Sequence, residues 1–510
     1  MAFNSLLYNW SLGGAVPDRL TVLPADTWPG DAVQGGWLLD SFSSLEREWP
    51  ENLQGFEGLR DLRALGGNDA RRLVREMIES WIRRHRNAAL WSPALTGQLV
   101  ANWIALYDFY GASADEMFQD RLFDSLVRQA RHLARTLPGD IAGLKLLHGI
   151  RGLAVAGLAF AGREAWLAQA LDLLQAESAK QILPDGGHIS RSPARLLESL
   201  RLFMDIRTGL AAAGYPVPEQ IEHTIDRMAQ AVRFFRYPDK GFALFNGAQE
   251  GDESFIDTVL TRTNAHGRIL RHLPQSGYER VTMGRSLLML DAASPPPHPY
   301  DTQAHAAPLA FEFIYGKERV FVSCGTHPSD PAWQYALRGT AAHNTLTIDS
   351  RNACEITDSG AINRRPRTVM VSRNESKDAI LIEGSHDGYV PLNGITHRRR
   401  LYLSREGHDL RGEDSLTCST GLGKPVEAAL RFHLHPRVQV SLIQDGTEAL
   451  LRLSGGSGWR FSHGGGKLAL ENSLYLGSGA QPRKTKQLVI HAPMDSDFAQ
   501  IKWALQREGA

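Results

Sequence analysis

Cysteine is nearly absent from this chain: Cys324, Cys354 and Cys418 are the only three in 510 residues. Three widely spaced cysteines build neither a disulfide framework nor a zinc knuckle, which excludes a small stapled scaffold. Charge of one sign is absent too. Lys+Arg and Asp+Glu both number 56, so the formal net charge is zero. A whole-molecule field therefore cannot drive nucleic-acid binding, and no nucleic-acid partner is expected. The triple arginine Arg398–Arg400 is a local basic run, which alternation along a strand splits between two faces. No apolar run approaches the roughly 20 residues that cross a bilayer, so no membrane insertion is expected. The opening MAFNSLLYNWSLGGAVPDRL has no basic segment followed by a long apolar one, and it reads as a cytoplasmic rather than a periplasmic start. No repeat period is visible, which argues against a regular solenoid.

What is present is a change of periodicity. At 43% hydrophobic and 22% charged, the composition suits ordinary globular domains, and the length calls for more than one. Residues 1–65 read as an irregular arm with scattered Trp and Pro. From 66 to 272, apolar residues recur at helical spacing, as in Leu73, Val74, Met77, Ile78, Trp81 and Ile82. Short connections such as Leu137-Pro138-Gly139 predict antiparallel helical hairpins arranged as an array or a toroid. Between 275 and 510 the period shortens to two, and many short strands predict a large antiparallel β-sandwich. The stiff connector Pro295-Pro296-Pro297-His298-Pro299 leads into Asp301–Asp349, where His305 and His343 sit at the edges of strand-like runs.

Three loops could carry chemistry. Asp185-Gly186-Gly187-His188-Ile189-Ser190-Arg191 offers His188 and an Arg191 whose planar fork suits a carboxylate. The plain alternative is a helix-capping loop. Phe234–Gly241 offers Tyr237 beside an arginine, or else an aromatic turn packed on the core. In the sheet half, His305, His343 and His386 could collect around a structural Zn²⁺, with Asp349 and Asp387 as oxygen ligands, although each histidine alone suits a satisfied strand edge. His433 and His435 read as structural. A hydrolase would need two opposed carboxylates, and among Asp185, Asp239 and Glu253 no pair stands out.

The order of these segments resembles the heparinase II/III-like polysaccharide lyases. The likeness rests on Asp185–His188, on Gly277-Tyr278 with Arg280, on Asp301–Glu312 (DTQAHAAPLAFE) and on Thr340–Asp349 (TAAHNTLTID). It implies an N-terminal (α/α) toroid followed by a C-terminal antiparallel β-sandwich. It also implies β-elimination on an acidic polysaccharide: a base takes the C5 proton of a uronic acid and an acid protonates the leaving O4. Neutralising the uronate carboxylate stabilises the enolate-like transition state. By this resemblance His188 and Arg191 lie near the substrate carboxylate and Tyr237 is the catalytic tyrosine. His305 is the metal-binding second histidine of an H-x-H strand. Gln303 stands where the first histidine acts in catalysis, and Ser323-Cys324 stands where a metal-ligating aspartate is expected. His343 or His386 is then left to compensate. A non-catalytic glycan-binding or envelope-assembly protein on the same scaffold is the alternative.

Overall fold

The computed structural model describes residues 5–45, 54–263 and 265–509. Its contacts divide into two units, one of residues 1–182, 198–226 and 261–263, the other of 183–197, 227–260 and 264–510. Two stretches of the helical half therefore pack with the sheets rather than with the other helices. They are 183–197, which holds the Gly-Gly-His loop, and 227–260, which holds Tyr237.

In the first unit the expected hairpins are present: Gly67–Arg84, Pro93–Ala105, Glu116–Thr136, Leu144–Ala159 and Glu164–Gln181 are helices. Gly67–Arg84 buries Leu73, Val74, Met77, Ile78 and Trp81, the stripe that its spacing dictates. Leu144–Ala159 is apolar on nearly every side and is buried at every position but Lys145. It crosses Pro93–Ala105 at glycines. A Cβ on Gly97 would lie 2.2 Å from the His148 carbonyl oxygen, and one on Gly152 would lie 2.4 Å from the Gly97 Cα. The arm is more regular than expected, with helices at Ser5–Ser11, Ala32–Leu45 and Leu59–Leu65. Within the arm Asp26 pairs with Arg60 at 2.7 Å, and the Trp28 indole N–H ties the arm to the helices by donating to Asp205 at 2.5 Å. Asp205 in turn pairs with buried Arg151 at 2.7 Å.

Among its described residues the second unit has seventeen strands. They are β1 His272–Leu273, β2 Tyr278–Met283, β3 Ser286–Asp291, β4 Phe311–Tyr315, β5 Glu318–Phe321, β6 Leu346–Ile348, β7 Val369–Glu375, β8 Ala379–Tyr389 and β9 Ile395–Ser404. Then come β10 Asp409–Cys418, β11 Val426–His433, β12 Gln439–Ile443, β13 Glu448–Arg452, β14 Gly458–Gly464, β15 Lys467–Tyr475, β16 Arg483–Met494 and β17 Phe498–Arg507. β1 to β5 form a meander in chain order; the eight-stranded sheet runs β12-β13-β14-β17-β10-β9-β8-β7; the four-stranded one runs β15-β16-β11-β6. The pairings between these strands are antiparallel, and one core joins the three sheets, with Phe311 stacked on Trp503 at 5.5 Å and Trp459 edge-on to Phe313.

Two details shape these strands. Gly284, at φ +54, turns the chain between β2 and β3, so Val281–Leu290 is a hairpin rather than one strand. β8 runs on through Ser385–Tyr389.

Candidate functional site

The Gly-Gly-His loop is held by its aspartate. Asp185 accepts the Ser276 N–H at 2.7 Å, the Gln275 N–H at 2.9 Å and the Ser276 hydroxyl at 2.8 Å. Gly186, at φ +85, lies where a Cβ would meet the Arg227 carbonyl oxygen at 2.1 Å, so only glycine fits. This clamp presents His188. Its Nδ1 accepts the Ser190 N–H at 3.1 Å and lies 2.7 Å from the Ser190 hydroxyl, which assigns the ring proton to Nε2. The ring meets half-buried Tyr300 edge-on, with centroids 6.4 Å apart.

Arg191 does not face a ligand. It takes φ +59 and turns its guanidinium inward. Nε donates to the Ser276 carbonyl at 2.7 Å, the terminal nitrogens donate to the Gly277 and Ser294 carbonyls at 3.0 and 3.1 Å, and the buried Asp291 carboxylate completes the set. A guanidinium so engaged has no fork left for a substrate carboxylate. Arg195 lies one helical turn on. It is half-buried in the first turn of Pro193–Ala212, and its Nε donates to the Gln303 side-chain carbonyl at 3.2 Å. The sequence reading passed over Arg195; its signal was the i+4 spacing from Arg191.

Gln303 packs over Gly247, whose missing Cβ would sit 2.9 Å from the Gln303 Cβ. Beside it, Asn246 organises the floor at φ +48. Its amide donates to the Tyr278 hydroxyl oxygen at 2.6 Å and to the Arg191 carbonyl at 3.2 Å, while its oxygen accepts the His305 N–H at 2.9 Å. His305 sits with Nδ1 3.1 Å from the Asn246 N–H and Nε2 3.0 Å from the Gly247 N–H. A neutral imidazole has one acceptor nitrogen, so one N–H is bonded at a time. With a backbone N–H against each nitrogen, neither lone pair is open to a metal. His343 lies against His305 with centroids 4.1 Å apart; it is fully buried, and neither of its ring nitrogens has a hydrogen-bond partner. Burial drives the His343 pKa down to about 3, with His433 adding to the shift, and burial with the neighbouring His343 holds that of His305 well below its usual value.

Tyr237 is far from open solvent. Its hydroxyl donates to Glu312 at 2.7 Å, and the same carboxylate accepts the Leu244 and Ser323 N–H groups at 3.2 and 2.9 Å. Burial and the Glu312 charge push the phenol pKa upward, which opposes a catalytic role at neutral pH. The motif glutamate and the tyrosine thus tie 227–260 to β4. Ser323, where the resemblance places an aspartate, contributes only its N–H to this knot.

His386 belongs elsewhere. It lies 3.1 Å from His397, which lies 2.7 Å from Asp414, itself bound by Arg399 at 2.7 Å and by the Trp503 indole at 3.2 Å. This chain is buried in the sandwich. Among the described residues no three His, Cys, Asp or Glu side chains are placed to hold a metal, and the histidines expected to do so, His305 and His386, are engaged in different networks. The donor set does not fit a Zn²⁺ centre.

Of the residues read as functional, Gln303 meets Arg195 and packs over Gly247, which with Asn246 holds His305 against His343, while His188 meets Tyr300. Arg191 and Tyr237 are spent on bonds within the fold, and His386 stands apart.

Comparison with known proteins places these findings in a family. Residues 75–266 match the model "Heparinase II/III N-terminus" and residues 265–504 match "Heparinase II/III-like, C-terminal". The chain is 29% identical to FtsZ-localized protein C of Caulobacter vibrioides, over 96% of this chain and 91% of that protein. Its fold is that of a solved heparinase III (TM-score 0.78, 14% identity, 99% of this chain and 90% of that one). It is also that of the heparan sulfate lyase HepC from Pedobacter heparinus (TM-score 0.66, 15% identity, 98% and 87%). The matched models, together with the motifs at Asp185, Asp301 and Thr340, make this chain a member of the heparinase II/III-like family.

Proposed function

We propose that this protein is a polysaccharide lyase that cleaves an acidic, uronic-acid-containing polysaccharide by β-elimination. One observation supports this reading above the others: Arg195 and Gln303 meet at 3.2 Å in the same unit that holds His188 against Tyr300. A guanidinium and a carboxamide are the groups that neutralise a uronate carboxylate and stabilise the enolate-like transition state. His188 and Tyr300 then serve the proton transfers at C5 and O4. No step is routed through a metal. We place the reaction in the cytoplasm, a setting compatible with three buried free thiols. The test is a screen of uronic-acid polymers for the ultraviolet absorbance of the unsaturated product. Product is expected with the wild type and is reduced at least tenfold in Arg195→Ala and His188→Ala. A folded protein that yields no product on a broad panel sinks the reading.

A second reading has its own support. Gln303 cannot carry a proton at neutral pH, and Arg191 and Tyr237 serve the fold rather than a substrate. A glycan-binding or envelope-assembly protein on the same scaffold needs only the Arg195–Gln303 face. The full-length relative named for its localisation with FtsZ is compatible with such a role. Saturable binding of an acidic oligosaccharide without product, with activity appearing in Gln303→His, selects this reading.

A further inference from the structure

A second polar cavity, of about 270 Å³, lies within the sheet unit between β5, the turn after β11 and the start of β16. Its carboxylates already have donors. Asp239 takes the buried Arg319 guanidinium at 2.6 and 3.3 Å, Glu250 accepts the Tyr475 hydroxyl, and Glu318 accepts the Gly455 N–H at 2.8 Å. Its outer cations do not have such partners. Lys317, Arg437 and Arg483 are exposed, and among the described residues none pairs with a carboxylate; Arg483 only lies over the Tyr475 ring at 5.9 Å. With Arg319 these make four cations against three carboxylates, so the cavity keeps an excess of positive charge.

His435 lines the same cavity and is only 7% exposed. Its Nδ1 accepts the Arg437 N–H at 3.3 Å, so the ring proton belongs on Nε2, which is left as a donor. Burial, with Arg319, Arg483 and Arg437 around it, holds its pKa down to about 3, so the ring stays neutral where the guanidinia are charged.

We propose that this cavity binds a tetrahedral oxyanion, the sulfate or phosphate group of a monoester or the free ion, gripped by Arg437 and Arg483 with His435 donating from the floor. Planar guanidinium forks match such oxygens in two-point fashion, and Lys317 adds a point charge at the mouth. The cluster of His188, Arg195 and Gln303 shares no residue with this cavity, so the inference does not rest on the lyase reading.

The test is titration calorimetry on the full chain with sodium sulfate and sodium phosphate, at constant ionic strength, with chloride as reference. Saturable heat is expected for the oxyanions and not for chloride. The double variant Arg437→Ala/Arg483→Ala, which removes two exposed side chains, is expected to weaken binding at least tenfold with an unchanged thermal midpoint. Arg411→Ala, on β10, is expected to bind as the wild type does. A sulfated uronic disaccharide that binds more tightly than free sulfate identifies a glycan ester as the source; the reverse order identifies the inorganic ion. No saturable binding by the wild type, or undiminished binding by the double variant, overturns the proposal.

Discussion

Arg191 and Tyr237 were read as catalytic because a charged fork and a phenol in Gly- and Pro-marked loops suit carboxylate binding and proton transfer. Both are buried and fully engaged by their own chain, and this has consequences for mutation. Arg191→Met removes the charged partner of Asp291 and takes the guanidinium donors from the Ser276, Gly277 and Ser294 carbonyls, of which Gly277 keeps the Ala292 N–H. Breaking a buried pair from one side costs about 3–5 kcal/mol, read as a fall in the urea midpoint. Tyr237→Phe leaves Glu312 with only its backbone donors and costs about 1–3 kcal/mol. Product formed per folded molecule is expected to be unchanged by Tyr237→Phe, and a selective loss of turnover would restore Tyr237 to the mechanism.

The buried histidines give a pH dependence with a definite sign. His343 is neutral in the fold, with a pKa of about 3 against about 6.5 in an unfolded chain. The unfolded state therefore binds more protons in that window, so stability is full above pH 6.5 and falls as the pH drops toward 3. His433, at about 4, and His435, at about 3, add to the same slope. Each such group contributes about 1.4 kcal/mol per pH unit within its window. Urea midpoints between pH 4 and 8 should decline on the acid side, and His343→Gln should flatten the curve.

At the scale of elements, the helix pair Pro93–Ala105 and Leu144–Ala159 depends on backbone approach. A methyl at Gly97 would sit 2.2 Å from the His148 carbonyl oxygen, and backbone cannot yield as a flexible side chain does. Gly97→Ala is expected to cost at least about 1–3 kcal/mol, seen as a lower thermal midpoint. Gly36→Ala, where the added Cβ meets nothing within 4 Å, is the matched control. The elements themselves were largely legible. Helical spacing located Gly67–Arg84, Leu144–Ala159 and Glu164–Gln181 because each turn of a packed helix repeats its apolar demand locally. The period of two after residue 275 anticipated strands such as β4 but not the burial of both its faces, since that depends on Tyr237, 75 positions away, meeting Glu312.

At the scale of the whole molecule, the expected zinc centre has no ligand set among the described residues. His305 has a backbone N–H against each ring nitrogen, and His386 is spent on the chain to His397 and Asp414. Chelation is therefore expected to leave the thermal midpoint unchanged. A fall of several degrees with EDTA, restored by Zn²⁺, would contradict this. Parts of the site were legible as well. His188 and Gln303 lie on motifs that a reader can align by eye. Arg195, Tyr300 and the service of Asn246 to His305 were not, because each depends on which distant loop arrives beside it.

The sequence by itself determined the order of helical and sheet halves, the periods within each and the family motifs, because periodicity and turn chemistry are local. Only the tertiary structure decided the employment of the polar side chains. A buried charge or hydroxyl must find a partner wherever the fold supplies one, and for Arg191 and Tyr237 those partners lie 100 and 75 residues away.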